Sequence, residues 1–203
     1  MTLYKRRDKF SRSSEWIGRV FGKFGLSPNQ WTLLSLIPAL GCAYFLINSQ
    51  FLYAAVLLFI SAFLDVIDGS VARVKGKTTK LGAYLDTMID RYVEAIVIFG
   101  LMFSELPWFF ISPYAWLIFY LFGGMMTTYA KAAAKEKGMV KNEMSGGLLE
   151  RAERIGILTV GIFLAVYNRI YLSVIIAFLA IFTNLSAVQR IAIVVSSPKK
   201  LRK

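Results

Sequence analysis

The sequence predicts an all-α integral membrane protein with six transmembrane helices and an N-terminal amphipathic helix on the membrane surface. Three observations predict this class. Hydrophobic residues make up 57% of the 203 residues and charged residues only 18%, whereas soluble domains carry roughly 25% charge. No charged residue occurs between positions 24 and 64. The remaining apolar stretches are separated by clusters of basic residues, as in multi-pass membrane proteins.

The predicted spans are apolar segments of about 20 residues or more, enough to cross a hydrocarbon core roughly 30 Å thick. The polar tripeptide 48–50 divides the uncharged run into the first two spans. The other four are expected at about 81–104, 108–130, 147–167 and 170–195. We expect residues 25–203 to form the six-helix bundle and the whole chain, 1–203, to be a single domain.

The basic residues indicate the orientation of the bundle. With six spans, 22 of the 24 Lys and Arg residues fall before the first span, in the second and fourth connections, or in the tail. Cytoplasmic segments carry such an excess, so both termini are predicted to be cytoplasmic. The net charge of +12 then suits anionic lipid rather than nucleic acid.

Residues 4–24 differ from the spans because apolar and basic side chains alternate there. Trp16, Ile17, Val20, Phe21 and Phe24 recur at spacings of three and four, which is typical of an amphipathic helix. We expect this helix to lie on the cytoplasmic membrane surface. The alternative is that its apolar face simply packs against the bundle.

Four aspartates lie inside or at the ends of the apolar helices. Asp65 and Asp68 are three residues apart on the predicted second helix, and Asp86 and Asp90 are four apart on the third. Each pair shares one helix face, and the two helices are antiparallel neighbours, so all four carboxylates are expected at one level near the cytoplasm. The chain has no histidine, so a metal ion here would be a hard cation held by oxygen.

Two alternatives to a catalytic metal site are open at this point. The aspartates could form intramembrane salt bridges, but Arg73 and Arg91 are the nearby cations, and two cations cannot balance four anions. The four carboxylates could instead form a cation transport site. Gly69 and Gly82 beside them would allow a ligand to approach closely, and Arg73 could bind a phosphate through its forked guanidinium, which favours an enzyme.

The stretch from Asp65 to Asp90 reads D-x2-D-G-x2-A-R-x8-G-x3-D-x3-D. This pattern resembles the signature of the CDP-alcohol phosphotransferases at all eight fixed positions. The resemblance implies that a CDP-activated lipid gives its phosphatidyl-type group to an alcohol and that CMP leaves. It implies a six-span membrane enzyme and a homodimer.

The resemblance also assigns roles to the aspartates. Asp65, Asp68 and Asp86 would bind two Mg²⁺ or Mn²⁺ ions, and Asp90 would be a further ligand and the base for the alcohol. Gly69, Arg73 and Gly82 would contact the CDP-lipid.

The segment 27–32 precedes the first span and resembles the P-N-x-x-T element of the same family. The resemblance implies that Asn29 and Thr32 lie near the nucleotide. The alternative is a helix start with proline in its first turn, which the same segment satisfies.

Basic residues on three further helices suggest that the acceptor alcohol carries a phosphate. Lys131, Arg151 and Arg190 are predicted at the cytoplasmic ends of the fourth, fifth and sixth spans. Here the sequence resembles the phosphatidylinositol-phosphate and archaetidylinositol-phosphate synthase branch, whose acceptor is myo-inositol 1-phosphate. Glycerol 3-phosphate is the alternative acceptor. The basic residues could also bind lipid headgroups or pair locally, as Arg154 could with Glu150.

The resemblance to that branch implies a multi-pass protein of a prokaryotic plasma membrane with its active site on the cytoplasmic side. The expected partners are the CDP-activated lipid, inositol 1-phosphate and membrane lipid. The sequence leaves open whether the donor lipid is a diacyl or an archaeal ether lipid.

Overall fold

The computed structural model describes residues 7–140 and 147–196, with side chains from Ser14 onward. Within these ranges the chain is helical and has no β-strand, only an isolated bridge between Phe109 and Ile111. The helices are α1 (Arg7–Phe21), α2 (Pro28–Leu34), α3 (Leu36–Ile47), α4 (Phe51–Val74), α5 (Lys80–Met102), α6 (Pro113–Glu136), α7 (Arg151–Leu164) and α8 (Arg169–Ser196). A short 3₁₀ helix, Gly22–Phe24, follows α1.

Three stretches of the described chain are both long and apolar enough to cross a membrane: Pro28–Ile47, Phe51–Val74 and Arg169–Ser196. Helices α5 and α6 have 23 and 24 residues, which is sufficient length, but neither is as apolar as these three stretches. Helix α7 has 14 residues, or about 21 Å at 1.5 Å per residue. The protein is therefore an all-helical membrane protein, and the count of six spans stays a prediction.

The first compact unit, Met1–Ser104, contains α1 to α5. Helices α1, α2 and α3 all contact α4, and α2 and α3 also contact α5. Trp31, Ile67 and Val71 form a buried cluster that joins α2 to α4. This packing holds the start of α2 beside the carboxyl-terminal half of α4, where Asp65 and Asp68 lie.

The N-terminal amphipathic helix forms as predicted, with α1 and the 3₁₀ turn covering 7–24; residues 4–6 of the predicted segment lie outside the described residues. Ile17 and Phe21 pack against the Trp31 cluster, so one face of α1 does contact the rest of the unit. Trp16 and Phe24 are 65% and 67% exposed. Packing against the bundle therefore accounts for part of the apolar face, and the exposed aromatics are available to a membrane surface.

The first predicted span is divided at Ser35 into α2 and α3. Pro38 explains this division because it has no N–H for the carbonyl of Leu34, four residues earlier, and its ring crowds that carbonyl. The buried Ser61 hydroxyl of α4 donates to the Ser35 carbonyl at 2.8 Å. The polar turn at 48–50 is confirmed, since α3 ends at Ile47 and α4 begins at Phe51.

The second compact unit, Glu105–Lys203, contains α6, α7 and α8. Helices α6 and α8 approach closely: a Cβ on Gly123 would lie 2.6 Å from Asn184 Nδ2. Asn184 Nδ2 also donates to the Phe119 carbonyl at 2.8 Å. Helix α7 packs on α8 in the same way through Gly161, whose added Cβ would lie 2.9 Å from Ile175 Cγ2.

Two of the predicted spans have different limits in the structure. The expected helix at 108–130 begins instead at Pro113, because Phe109 and Ile111 form a bridge and Pro113 suits the first helical position. It continues to Glu136. The expected helix at 147–167 is shorter because a capping box starts it at Arg151 and it ends at Leu164. The expected helices at 81–104 and 170–195 agree with α5 and α8 within two residues at each end. The single domain over residues 1–203 stays a prediction.

Candidate active site: three carboxylates beside a cavity

Asp65 and Asp68 of α4 and Asp86 of α5 bring their carboxylates together in the first unit. One oxygen of each lies within 4.8 Å of the corresponding oxygen of the other two. Asp68 is only 5% exposed, and Asp65 and Asp86 are half-buried. Three like charges at this separation repel one another, and burial weakens their solvation. A bound cation would offset this repulsion.

The donor set fits a hard divalent cation. All three groups are carboxylates, which Mg²⁺ and Mn²⁺ prefer over nitrogen or sulfur ligands. Asp68 Oδ2 is buried and accepts no hydrogen bond from the described residues. A buried carboxylate oxygen without a donor is costly, and a bound metal ion would satisfy it.

Asp90 lies outside this group of three. It follows Asp86 by one turn on the same face of α5 and is half-buried. The next turn carries Glu94, which is 1% exposed and accepts a 2.6 Å hydrogen bond from Arg91 Nη1. Sequence reasoning missed this buried ion pair, although the spacing of three between Arg91 and Glu94 is a signal for it.

A cavity of about 160 Å³ opens beside Asp68 and Asp86. Its wall includes all five residues that the sequence predicts to contact the CDP-lipid: Asn29, Thr32, Gly69, Arg73 and Gly82. They come from α2, α4 and α5, which are distant in sequence but adjacent in this unit. The remaining lining residues are Pro28, Ala72, Lys77, Thr78, Thr79 and Ala83.

The start of α2 has the cap that the sequence offered as one alternative, and it also borders the cavity. Ser27 is the N-cap, it forms a capping box with Gln30, and Pro28 occupies the first turn. Thr32 is within hydrogen-bonding reach of Asp68, and its hydroxyl also lies 3.1 Å from the Pro28 carbonyl. Since a hydroxyl has one proton, Thr32 donates to one of these acceptors at a time. The capping role is confirmed, and it leaves Asn29 and Thr32 in the cavity wall.

The connection between α4 and α5 contributes cavity residues that sequence reasoning missed. Lys77, Thr78 and Thr79 all line the cavity. Thr79 caps α5 by accepting a 3.0 Å hydrogen bond from the Gly82 N–H. A threonine three residues before the signature glycine could have predicted this cap. Lys77 adds a cation to a wall that already contains Arg73.

Gly82 lies close to two polar side chains of the wall. A Cβ at this position would be 3.1 Å from Asn29 Oδ1 and 3.1 Å from Thr79 Oγ1. The absence of a side chain therefore keeps α5 close to α2 and leaves the cavity open at this point.

Hydrogen bonds in the second unit join the helix segments that carry all three predicted acceptor-binding residues. Arg190 Nη1 of α8 donates to the carbonyl of Thr127 at 2.7 Å, one turn before Lys131 on α6. The Ser186 hydroxyl, one turn before Arg190, accepts from the Leu149 N–H at 3.1 Å, two residues before Arg151. These contacts bring the amino-terminal end of α7 and the later parts of α6 and α8 to one region.

Arg154, for which the sequence left open a contact with the acceptor phosphate or a pair with Glu150, is 2% exposed. Its backbone N–H bonds to the carbonyl of Glu150, the residue before α7. The Glu150 side chain takes part in a capping box with Glu153. Burial of the arginine indicates a structural position inside the second unit rather than an exposed contact with lipid headgroups.

Comparison with known proteins assigns the class of this chain. A model of the CDP-alcohol phosphatidyltransferase family matches residues 26–194. The chain belongs to this family and is a transferase of phospholipid synthesis. This membership decides against the cation transporter.

Relatives narrow the similarity further. The chain is 33% identical over 181 residues to an archaetidylinositol phosphate synthase of Pyrococcus horikoshii, covering 87% of this chain and 91% of that one. It is 34% identical over 156 residues to a phosphatidylinositol phosphate synthase of Corynebacterium glutamicum, covering 73% and 68%. A crystal structure of the Mycobacterium tuberculosis phosphatidylinositol phosphate synthase with CDP-DAG bound matches with a TM-score of 0.76 and 26% identity, covering 92% of this chain and 96% of that one.

Proposed function

We propose that this protein transfers a phosphatidyl or archaetidyl group from a CDP-activated lipid to myo-inositol 1-phosphate and releases CMP. The observation that carries this proposal is the cavity whose wall joins two signature aspartates to all five predicted donor-binding residues. The names of the relatives support the acceptor, because they include both phosphatidylinositol and archaetidylinositol phosphate synthases.

In the proposed reaction the hydroxyl oxygen of inositol 1-phosphate attacks the lipid-bearing phosphorus of the donor. The bond from that phosphorus to the bridging oxygen breaks, and CMP leaves with this oxygen. Arg73 binds the diphosphate by charge-assisted hydrogen bonds, and Lys77 adds a second positive charge. Asn29 and Thr32 orient the nucleotide end. Holding attacking and leaving oxygens in line is the main requirement of this chemistry.

Asp65, Asp68 and Asp86 would hold the divalent metal, with two ions of Mg²⁺ or Mn²⁺ proposed. When bound, the metal neutralises the diphosphate and stabilises the charge that develops on the leaving oxygen. A related structure, that of the Mycobacterium tuberculosis enzyme, is described in complex with manganese and citrate, which supports this choice of metal. Asp90 is proposed as a further ligand and as the base that takes the acceptor proton, since the chain has no histidine for that task.

Lys131, Arg151 and Arg190 are proposed to bind the phosphate of the acceptor. Three cations suit an anionic alcohol, and a neutral acceptor would not need them. Glycerol 3-phosphate carries the same phosphate, so it is the second candidate acceptor, and the relatives favour inositol 1-phosphate over it.

The proposed membrane arrangement has six spans, both termini and the active site on the cytoplasmic side of a prokaryotic plasma membrane, and a homodimer. Support comes from the 22 of 24 basic residues that fall on one side when six spans are assigned. The 23 and 24 residues of α5 and α6 are long enough for two of the additional spans.

The test uses purified protein in lipid nanodiscs with Mg²⁺ or Mn²⁺. CDP-diacylglycerol and CDP-archaeol are each offered with inositol 1-phosphate, glycerol 3-phosphate or free inositol, and both CMP and the lipid product are measured. We expect inositol 1-phosphate to be used most efficiently and free inositol poorly. Equal use of free inositol and its phosphate would overturn the acceptor assignment. Release of CMP without any acceptor dependence would overturn the transfer itself.

A further inference from the structure

Arg73 is proposed above to bind the donor diphosphate, yet its side chain is exposed. A free arginine side chain samples many rotamers, and ordering it when the donor binds would reduce affinity. A contact that holds the guanidinium in place beforehand would remove this cost. The structure contains such a contact, and it comes from outside the cavity wall.

Arg73 Nη2 donates to the hydroxyl of Ser14 at 2.7 Å and, by a longer hydrogen bond of 3.3 Å, to the hydroxyl of Ser70. The two hydroxyls are 3.0 Å apart. Ser70 also donates its proton to the carbonyl of Val66, one turn earlier on α4, at 2.7 Å.

These distances determine the direction of the hydrogen bonds. Ser70 has a single hydroxyl proton, and the Val66 carbonyl takes it. The proton between the two serines therefore belongs to Ser14, which accepts from Arg73 and donates to Ser70. Ser14 is thus the middle of a chain that connects the guanidinium to the backbone of α4.

The close approach of α1 to α4 makes this chain possible. Gly18 follows Ser14 by one helical turn, so both face α4. A Cβ on Gly18 would lie 2.5 Å from the Ser70 carbonyl oxygen and 2.6 Å from Val74 Cγ2. Any larger residue would push α1 away from α4 and move the Ser14 hydroxyl out of reach of Arg73.

We propose that Ser14 is a positioning residue for donor binding. It fixes Nη2 of Arg73 and leaves the Nη1 side of the guanidinium, which borders Gly69, for the diphosphate. The N-terminal amphipathic helix therefore contributes to donor affinity although Ser14 is not among the residues that line the cavity. This inference rests on the proposed function, in particular on the role of Arg73.

The direct test compares Ser14→Ala with Ser14→Thr and with Glu15→Ala as the matched control. Threonine keeps the hydroxyl. Glu15 is the adjacent residue of α1, and its only described ion pair is an exposed one with Arg19. Binding of CDP-diacylglycerol is measured in nanodiscs with Mn²⁺ and without acceptor, followed by steady-state kinetics.

We expect Ser14→Ala to raise the Kd and the KM for the donor about three- to tenfold, the cost of ordering one long side chain when the donor binds. The KM for the acceptor and kcat should stay within twofold. Ser14→Thr should recover most of the donor affinity, and Glu15→Ala should match the parent. Unchanged donor Kd in Ser14→Ala would overturn the proposal, as would an equal loss in Glu15→Ala.

A double-mutant cycle with Arg73→Gln separates positioning from a general effect on folding. If Ser14 acts through Arg73, Ser14→Ala should have no further effect on donor Kd once Arg73 is replaced. Additive losses would overturn the proposal. Ser70→Ala removes a hydroxyl that both Ser14 and Arg73 contact. It is the second variant if Ser14→Ala does not fold, and it should shift donor Kd in the same direction.

The two proposals fail in distinguishable ways. The binding measurement contains no acceptor, so an incorrect acceptor would leave the Ser14 result unchanged. Unaltered donor binding in Arg73→Gln alone would contradict the donor role of Arg73 and the positioning role of Ser14 together.

Discussion

The substitution Gly82→Ala tests the proposal that the cavity binds the donor, because it adds a single methyl group to the cavity wall and changes little else. Replacing it with alanine adds a Cβ 3.1 Å from Asn29 Oδ1 and 3.1 Å from Thr79 Oγ1. Both contacts are closer than normal van der Waals distance, so Asn29 must move or the added methyl must shift α5. A methyl group has about the volume of a water molecule, roughly 30 Å³, against a cavity of about 160 Å³.

Overpacking of this kind costs about 1–3 kcal/mol. If that cost falls on the donor complex, the KM for the CDP-lipid rises by roughly five- to 150-fold at 1.4 kcal/mol per decade. The KM for the acceptor should change little, since the predicted acceptor-binding residues lie in the second unit. The change in folding stability should be small, because alanine is favoured over glycine in a helix by about 0.5–1 kcal/mol, and this offsets part of the crowding.

Gly156→Ala is the matched control. It makes the same substitution in α7, where an added Cβ meets no atom within 4 Å. We expect Gly156→Ala to raise the melting temperature slightly and to leave both KM values unchanged. The assay is CMP release in nanodiscs with donor and acceptor varied separately, alongside thermal unfolding. A parental donor KM in Gly82→Ala would refute the assignment of this cavity to the donor.

Three further predictions follow from the same site. Asp86→Asn should abolish transfer and weaken Mn²⁺ binding measured by electron paramagnetic resonance, since an amide replaces a charged ligand of the three-carboxylate group; near-parental turnover at saturating Mg²⁺ would contradict the metal site. Arg190→Ala should raise the acceptor KM by about ten- to a hundredfold, the loss of a charge-assisted contact worth about 1.5–3 kcal/mol, with donor KM unchanged; a change confined to donor KM would show that the assignment is wrong. Removing divalent metal with EDTA should stop CMP release and lower the melting temperature of the parent, since bound metal stabilises the folded protein. Asp86→Asn should show a much smaller EDTA shift, and an equal shift would place the metal elsewhere.

The sequence predicted most of the helices because their apolar length and the basic connections between them are strong signals. It missed the division at Ser35, although Pro38 carries the signal, because a proline inside an apolar run is tolerated in membrane helices. It also placed the start of α6 five residues early. Phe109 and Ile111 are apolar but form a bridge with each other rather than part of the helix, and hydropathy cannot separate these states.

The site was predictable to the extent that helix spacing determines it. Asp65, Asp68 and Asp86 converge because two antiparallel helices bring their shared faces together. Asp90 lies outside the group of three carboxylates. The sequence gives only how far each aspartate lies from the end of its helix. Whether two carboxylates meet also depends on the angle between α4 and α5, which the sequence does not give. The place of Thr79 in the cavity wall could not be predicted without the conformation of the loop that joins those helices. The contact of Ser14 with Arg73 could not be predicted without knowing how α1 packs on α4.

The lining of the donor cavity lies entirely within residues 28–86, whereas the three basic residues proposed for the acceptor lie between Lys131 and Arg190. On the proposed assignment, the two substrates are bound by residues from separate stretches of the sequence. Descendants of one ancestral sequence could acquire a new acceptor through substitutions in the later stretch while inheriting the donor chemistry intact. Such a division would let one family diversify its lipid headgroups without rebuilding its reaction.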